Sequence, residues 1–189
     1  MPTLAPALAD EPTDLELIAR WQDGDQRAAT QLVERHAEAV ARFVASVGTR
    51  VDVDDVVQDT FARAFGSLES FRGDSSLRTW LFTIARRLVL DRRRSERRRG
   101  GGIRAHAEVQ DADAVTEYDA LDSVVADETE RRMREAVALL TPTQREVFTL
   151  RVAEGMSYKE IADAVGTTEG AARVHYHNAM RSVKEYLDD

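Results

Sequence analysis

The chain has 189 residues, with 26 basic and 34 acidic side chains and a formal net charge of −8. That length suits one large domain or two small ones, since domains cluster near about 100–150 residues. The absence of cysteine excludes a disulfide scaffold, thiolate catalysis and cysteine-ligated zinc. No apolar run reaches the ~18 residues of a membrane span, and the N-terminus lacks the basic start of a secretory signal. We therefore expect a cytoplasmic protein.

The net charge conceals segments of opposite sign. Residues 1–85 carry −6, residues 86–104 carry +7, residues 105–130 carry −9, and residues 131–189 are balanced. Such blocks indicate different partners for different segments. The acidic total therefore does not exclude nucleic acid as a partner.

Hydrophobic periodicity predicts helix along almost the whole chain. The helices predicted in the N-terminal half span residues 14–21, 27–47, 54–65 and 77–99. Gly66–Ser76 is expected to be a loop, and the run Gly100–Gly102 ends the last of these helices. The acidic residues 103–127 lack strong periodicity and are expected to be a solvated linker.

Helical signals resume at Glu128 and continue to about Leu187. Pro142 after Thr141 is typical of an N-cap followed by a first-turn proline, and Gly166 marks a helix end. The predicted fold is all-α. Two small helical domains, residues 14–99 and 128–187, are joined by a flexible acidic linker at 100–127.

Residues 157–177 have the layout of a helix-turn-helix. Ala162 is small where a second helix must cross, and Gly166 permits the turn. Opposite its apolar stripe, the following helix carries groups that can reach base edges and phosphates in a major groove. These groups are Thr168, Glu169, Arg173, Val174, His177 and Asn178. The alternative is an ordinary helical hairpin with a solvated face, and no metal site is expected because no third ligand lies near the histidines.

The helix that starts at Leu77 carries a second nucleic-acid signal. A helical wheel gives it one apolar face that includes Trp80 and Leu88. The other face is basic, with Arg86, Arg93 and Arg94, and it also carries two apolar residues that are expected to be exposed, Phe82 and Leu90. Arginine interleaved with aromatics suits single-stranded nucleic acid, because each stacked base contributes about 1–3 kcal/mol while the backbone follows the positive charge. A solubilising basic helix end is the alternative.

Taken together, these motifs resemble a known family. The string Asp54-Asp-Val-Val-Gln-Asp-Thr-Phe-Ala-Arg-Ala-Phe65, followed by residues 71–94, resembles the first folded domain of a bacterial RNA polymerase sigma factor. Residues 140–148 and 158–177 resemble the second sigma domain. With only these two domains, the chain is similar to the extracytoplasmic-function (ECF) group of the sigma-70 family. The resemblance implies a factor that directs RNA polymerase core to promoters and initiates transcription, without catalytic residues, metal or cofactor.

The resemblance also implies which residues act. Contact with the clamp helices of the largest polymerase subunit falls to Asp55, Gln58, Asp59 and Arg63. Capture of the single-stranded −10 element falls to Phe71, Arg78, Trp80, Phe82, Arg86, Arg87, Arg93 and Arg94. The helix-turn-helix residues given above would read the −35 duplex. Two departures are Arg87, where many members have Asn, and the segment 174–178, where many members have a basic run.

Further partners follow from the same resemblance: the polymerase flap and an anti-sigma factor, with no membrane contact by this chain itself. A hypothesis internal to the sequence is that the acidic residues 105–130 compete with DNA for the Arg86–Arg99 block.

Two other function classes fit parts of the sequence. One is a helix-turn-helix regulator that binds duplex DNA as a dimer, although residues 1–99 supply neither a dimerisation stripe nor a sensor pattern. The other is an interaction protein that sequesters a partner, which leaves the Arg86–Arg99 block without a role. A gel shift without polymerase distinguishes the regulator from the sigma factor, because only the regulator binds palindromic DNA strongly by itself.

Overall fold

The computed structural model describes residues 11–47, 51–100 and 124–188, and this part of the chain is helical almost throughout, without a strand. The helices are α1 (Asp14–Gln22), α2 (Gln26–Val47), α3 (Val53–Ser67), α4 (Leu77–Gly100), α5 (Val124–Ala138), α6 (Pro142–Val152), α7 (Tyr158–Val165) and α8 (Glu169–Asp188), with one 3-10 turn at Leu68–Ser70. The all-α prediction is confirmed. Helix α5 takes up the last four residues of the predicted linker 100–127 and α4 takes up its first, Gly100, while residues 101–123 lie outside the described residues.

The chain divides into two compact units, one ending at Ala37 and the other beginning at Glu38. The first unit contains α1 and the start of α2. Helix α1 begins with a capping box, in which the Glu16 amide donates to the Thr13 hydroxyl and the Thr13 amide donates to the Glu16 carboxylate. Leu17 and Leu32 are buried in this unit.

A charged cluster links the two helices of the first unit. Asp14 Oδ2 lies 3.0 Å from His36 Nε2, and Asp14 Oδ1 accepts a 2.8 Å hydrogen bond from Arg35 Nη1. The sequence places His36 on the apolar stripe of α2, and the side chain is indeed buried, with its ring satisfied by Asp14. The hydrogen bond to His36, and after it Arg35, lower the pKa of the Asp14 carboxyl against the opposing effect of burial.

In the second unit, α3 packs against α4 through Val56, Phe61 and Ala64. Thr60 is also buried there, and its hydroxyl donates to the Val56 carbonyl at 2.7 Å, so that no polar group is left unpaired. Helix α4 contributes a wide apolar face, consisting of Leu77, Leu81, Phe82, Ala85, Leu88 and Val89.

The C-terminal helices of this unit form their own apolar cluster around α8. Its buried members are Ala136, Leu140, Phe148, Ala179 and Val183. The Arg145 guanidinium of α6 donates to the carbonyls of Val137, Ala138 and Leu140, which satisfies the orphan carbonyls at the end of α5. Among the described residues, no helix combines the length and the apolar character of a membrane span.

The cluster at Asp14 leads to a pH-dependent prediction. We expect Asp14→Asn to speed amide exchange in α1 by roughly 10–150-fold at neutral pH, since a hydrogen bond to a charged group contributes about 1.5–3 kcal/mol. Because the folded pKa lies below the unfolded value of about 3.9, this stabilisation is complete above that pH and is lost as the pH falls through the folded value.

Hydrogen exchange of α1, compared at neutral pH and at about pH 3, checks this expectation. The difference between wild type and Asp14→Asn should shrink in acid. Asp23→Asn, at an exposed acid of the same segment, serves as the control. A difference that stays constant over this pH range contradicts the assigned role of the carboxylate.

Candidate nucleic-acid and polymerase interface

Helix α3 presents the residues predicted for polymerase contact on one surface. It begins at an N-cap, Asp52, whose Oδ1 accepts a 3.0 Å hydrogen bond from the Asp55 amide. The face opposite its buried stripe exposes all four predicted residues, which are Asp55, Gln58, Asp59 and Arg63. Asp59 is also paired with Arg92 of α4 at 2.7 Å while half of its side chain stays exposed.

Two of the residues predicted for the −10 strand are brought together at the start of α4. The rings of Phe71 and Trp80 are 5.2 Å apart at an interplanar angle of 44°, and both are half-buried. The loop between them turns at Gly73, whose φ of 75° lies in the left-handed region. Ser76 caps α4 by accepting from the Thr79 amide at 3.1 Å. The result is an aromatic pair that is partly accessible to solvent.

Phe82 is a correction to the sequence prediction. The helical wheel places it on the exposed basic face, but its side chain is fully buried and packs against Phe43 of α2 with ring centroids 5.1 Å apart. The prediction of an exposed stacking ring is therefore wrong. The physical reason is that α4 is covered on more than one side, so its buried arc is wider than the single stripe that a wheel assumes.

The arginines predicted for the −10 strand fall into two groups. Arg87 and Arg94 are exposed. Arg86 Nε instead donates to Glu146 Oε2 of α6 at 2.8 Å, and Arg78 donates to Glu154, which follows α6. The remaining member, Arg93, is half-buried, and its charge adds to the burial that lowers the pKa of Arg145 on α6.

The helix-turn-helix is formed by α7, a short turn and α8. Ser157 and Glu160 make a capping box at the start of α7, and Gly166 ends that helix with a φ of 72°. Thr168 then caps α8, since its hydroxyl accepts from the Ala171 amide at 3.2 Å. Ile161 of α7 and Ala172 of α8 are fully buried, as expected where two such helices cross.

The residues predicted to read the −35 element lie along the N-terminal half of α8. Thr168, Glu169, Arg173, Val174 and His177 are exposed, and Asn178 is half-buried. The Arg173 guanidinium pairs with Glu169 at 2.9 Å and stacks 4.9 Å from the centre of the Tyr158 ring. Arg151 stacks on the same ring at 4.8 Å. The described residues contain no group of acids and histidines that could hold a metal ion.

The sequence reasoning missed Glu146, Glu154 and Tyr158. A signal for the two acids was present, because Glu146 and Glu154 are spaced by four from Leu150, on the apolar stripe of α6 and its continuation just past the helix end. An acid on an apolar stripe indicates a buried ion pair, since burying a carboxylate without a partner is costly. The local sequence does not identify Arg42, Arg78 and Arg86 as the partners of the two acids.

The same two segments match known protein families. Residues 32–99 match the model of sigma-70 region 2, and residues 130–183 match that of sigma-70 region 4. The ECF RNA polymerase sigma-E factor of Haemophilus influenzae is 31% identical over 185 residues, which cover 95% of this chain and 98% of that protein. The protein of the same name in Escherichia coli (strain K12) is 32% identical over 182 residues, covering 93% of this chain and 95% of that one.

Two solved structures are similar along most of their length. The sigma factor RpoE from Bartonella quintana, in complex with the anti-sigma factor NepR, matches with a TM-score of 0.65 at 27% identity and covers 84% of this chain and 96% of its own. CnrH, in complex with the cytosolic domain of CnrY, matches with a TM-score of 0.64 at 32% identity and covers 93% of this chain and 97% of its own.

An all-α chain with region 2 before a region 4 helix-turn-helix defines a sigma-70-type transcription initiation factor. The chain belongs to the ECF group of the sigma-70 family. It directs RNA polymerase core to specific promoters and initiates transcription there, and a stand-alone dimeric regulator is not favoured. The family is not a class of enzymes.

The turn of the helix-turn-helix gives a paired prediction. Gly166→Ala should lower the stability by about 1 kcal/mol, because alanine is strained at positive φ. Gly170→Ala should raise the stability by about 0.5–1 kcal/mol, because Gly170 lies within α8 and an added Cβ there meets nothing within 4 Å. Urea unfolding monitored by circular dichroism measures both. Shifts of the same sign in the two variants would contradict the roles assigned to these two glycines.

Proposed function

We propose that the chain divides its work between residues 14–99 and residues 128–187, with residues 100–127 as the linker. The first part docks on core polymerase and holds the single-stranded −10 element, and the second part reads the −35 duplex and contacts the flap. The observation that carries this proposal is a pair of separate surfaces with different chemistry. One is a half-exposed aromatic pair next to arginines on α4, and the other is a polar helix face on α8.

The −10 surface suits an unstacked base. Flipping a base out of a duplex costs a few kcal/mol, and stacking on an aromatic ring returns about 1–3 kcal/mol per base. Phe71 and Trp80 supply the rings, while the exposed Arg87 and Arg94 supply positive charge for the phosphates. Phe82 does not stack on a base; it lies in the core, where its ring is 5.7 Å from the Arg78 guanidinium.

The −35 surface suits the major groove of duplex DNA. Helix α8 begins at Glu169 after the Thr168 cap, and the positive end of its dipole at this N-terminus favours a phosphate. Arg173 is held by Glu169 and by the Tyr158 ring, so less rotamer freedom is lost when it meets a base or phosphate. Val174 is 58% exposed, which leaves an apolar contact for a thymine methyl group.

The partners of the similar proteins extend the proposal. RpoE and CnrH are each solved with a regulatory partner, which is the anti-sigma factor NepR in the first case and the cytosolic domain of CnrY in the second. We propose an anti-sigma factor for this chain as well, acting in the cytoplasm, where the polymerase works.

A charge reversal on α3 tests polymerase docking. Asp55→Arg should weaken binding to core polymerase by about tenfold or more, since an acidic side chain that meets a basic clamp is turned into a repulsive one. Glu69→Arg makes the same charge change at an exposed acid outside α3 and should bind normally. Fluorescence anisotropy of labelled chain titrated with core polymerase measures both affinities. Equal affinities for the two variants would refute the assignment of the α3 face.

Trp80 tests the capture of the −10 strand. Trp80→Ala should slow open-complex formation by roughly 5–150-fold, which corresponds to the loss of about 1–3 kcal/mol of stacking. Trp80→Phe keeps an aromatic face and should retain most of the rate. A template with a premelted −10 region should reduce the defect of Trp80→Ala, because melting is then already complete. Permanganate footprinting measures melting, and equal rates for Ala and Phe would contradict the assigned role.

A further inference from the structure

Two carboxylates of the region 4 segment are removed from solvent by arginines of the region 2 segment. The Glu154 side chain has 0% exposure, and it accepts a 3.0 Å hydrogen bond from Arg42 Nε as well as a bond from Arg78. The Glu146 side chain is 3% exposed and pairs with Arg86 at 2.8 Å. The arginines come from α2 and α4, and the acids come from α6 and the turn that follows it.

Neither acid is explained by its own helix. Glu154 lies just beyond the C-terminus of α6, where the helix dipole disfavours a negative charge. Its location follows from the tight turn after α6, in which Gly155 takes a φ of 64°. A carboxylate buried there requires counter-charges, and Arg42 and Arg78 supply them. In keeping with this, the hydrogen bond to Glu154 raises the pKa of Arg42.

The same contact also contains a repulsive pair. Burial, and after it the charge of Arg93 on α4, lower the pKa of Arg145 on α6. Glu160 adds a further acid close to Arg78: the hydrogen bonds from Ser157 lower the pKa of Glu160, and the Arg78 charge adds to that effect. Attraction at Glu146 and Glu154 is therefore partly offset by repulsion at Arg93.

Promoter geometry requires this contact to open. The −35 and −10 elements are about 25 base pairs apart, or roughly 85 Å along the DNA axis. Helix α4, with 24 residues, is only about 36 Å long. While Arg78 and Arg86 are bonded to the region 4 segment, α4 and α8 cannot reach both elements. Residues 101–123 give the chain a maximum reach of about 80 Å between α4 and α5, which makes separation feasible.

We propose that Glu146 and Glu154 form an acidic latch that masks Arg78 and Arg86 in the free chain and is released when the two promoter elements are bound. While the latch is closed, the carboxylates of Glu146 and Glu154 are bonded to the two arginines, which are then not available to the −10 strand. This inference rests on the proposed function in assigning those arginines to the strand. The latch differs from the hypothesis that the acidic residues 105–130 compete with DNA, because Glu146 and Glu154 both lie in the C-terminal helical part of the chain that the structure describes, residues 124–188.

The first test measures distance and does not depend on DNA. The chain has no native cysteine, so Ala62→Cys on α3 and Lys184→Cys on α8, both exposed positions, can carry one spin label each. In the full chain without DNA we expect one short distance distribution by pulsed electron resonance. The change Glu146→Gln with Glu154→Gln should lengthen and broaden it, whereas Asp163→Asn, at an exposed acid of α7, should not. An unchanged distribution in the double variant overturns the latch.

A second variant protects the test against misfolding. Arg42→Gln opens the latch from α2 and has no part in the proposed DNA or polymerase contacts. It should lengthen the same distances, and Arg181→Gln, at an exposed arginine of α8, should not. Circular dichroism verifies that helix content is retained. If Arg42→Gln and the double acid variant are both helical and both keep the wild-type distances, the proposal is wrong.

The second readout is affinity for single-stranded DNA. The double acid variant should bind labelled oligodeoxythymidylate about tenfold more tightly than wild type, which is the factor expected if the closed arrangement is favoured about ten to one. Its transcription activity as holoenzyme at saturating promoter should be unchanged, because the latch is open in the promoter-bound complex. Longer distances without tighter binding overturn the masking. In that event Arg86→Gln is assayed for open-complex formation, and a normal rate would show that the proposed −10 role is what failed.

Discussion

A carboxylate withdrawn from water must be matched by positive charge, and this constraint governs the second unit of the protein. Glu146 and Glu154 expose almost no side-chain surface, and their counter-charges are Arg42, Arg78 and Arg86. Breaking a buried pair by removing one partner typically costs about 3–5 kcal/mol, because the remaining charge is left uncompensated. Arg78 and Arg86 lie on α4, so these pairs join α4 to α6 and to the turn that follows α6. Arg78 and Arg86 are paired with carboxylates in the folded chain, so their proposed role in binding the −10 strand requires those pairs to break.

Helix α4 packs against other helices and also carries residues proposed to bind DNA, so only part of its surface is available to DNA. Its buried arc includes Phe82 and Val89 and faces more than one partner, so its free surface is narrower than an isolated amphipathic helix would have. What remains is the Phe71–Trp80 pair at its start and the exposed arginines further along. The division matches the two requirements of single-strand capture, which are a ring for a base and positive charge for the backbone.

The helix-turn-helix illustrates how far local sequence reaches. The caps at Ser157 and Thr168 and the left-handed Gly166 lie where residue type alone places them. The stacking of Arg151 and Arg173 on Tyr158 was not foreseen, although the three residues lie within 22 positions of one another. Capping depends on partners three residues apart, whereas stacking depends on the angle at which two helices cross. The first is readable from the sequence and the second is not.

The sequence by itself determined the all-α class, the helices to within a few residues, their caps and the family. It could do so because periodicity, capping and turn chemistry act between residues that are close along the chain. Only the tertiary structure decided that Phe82 is core, that Glu146 and Glu154 are buried, and that Arg78 and Arg86 are occupied. The ion pairs among them join residues separated by 60, 76 and 112 positions. The charge of a residue can be read from the sequence, but its counter-charge is chosen by whichever helices the folded chain brings into contact.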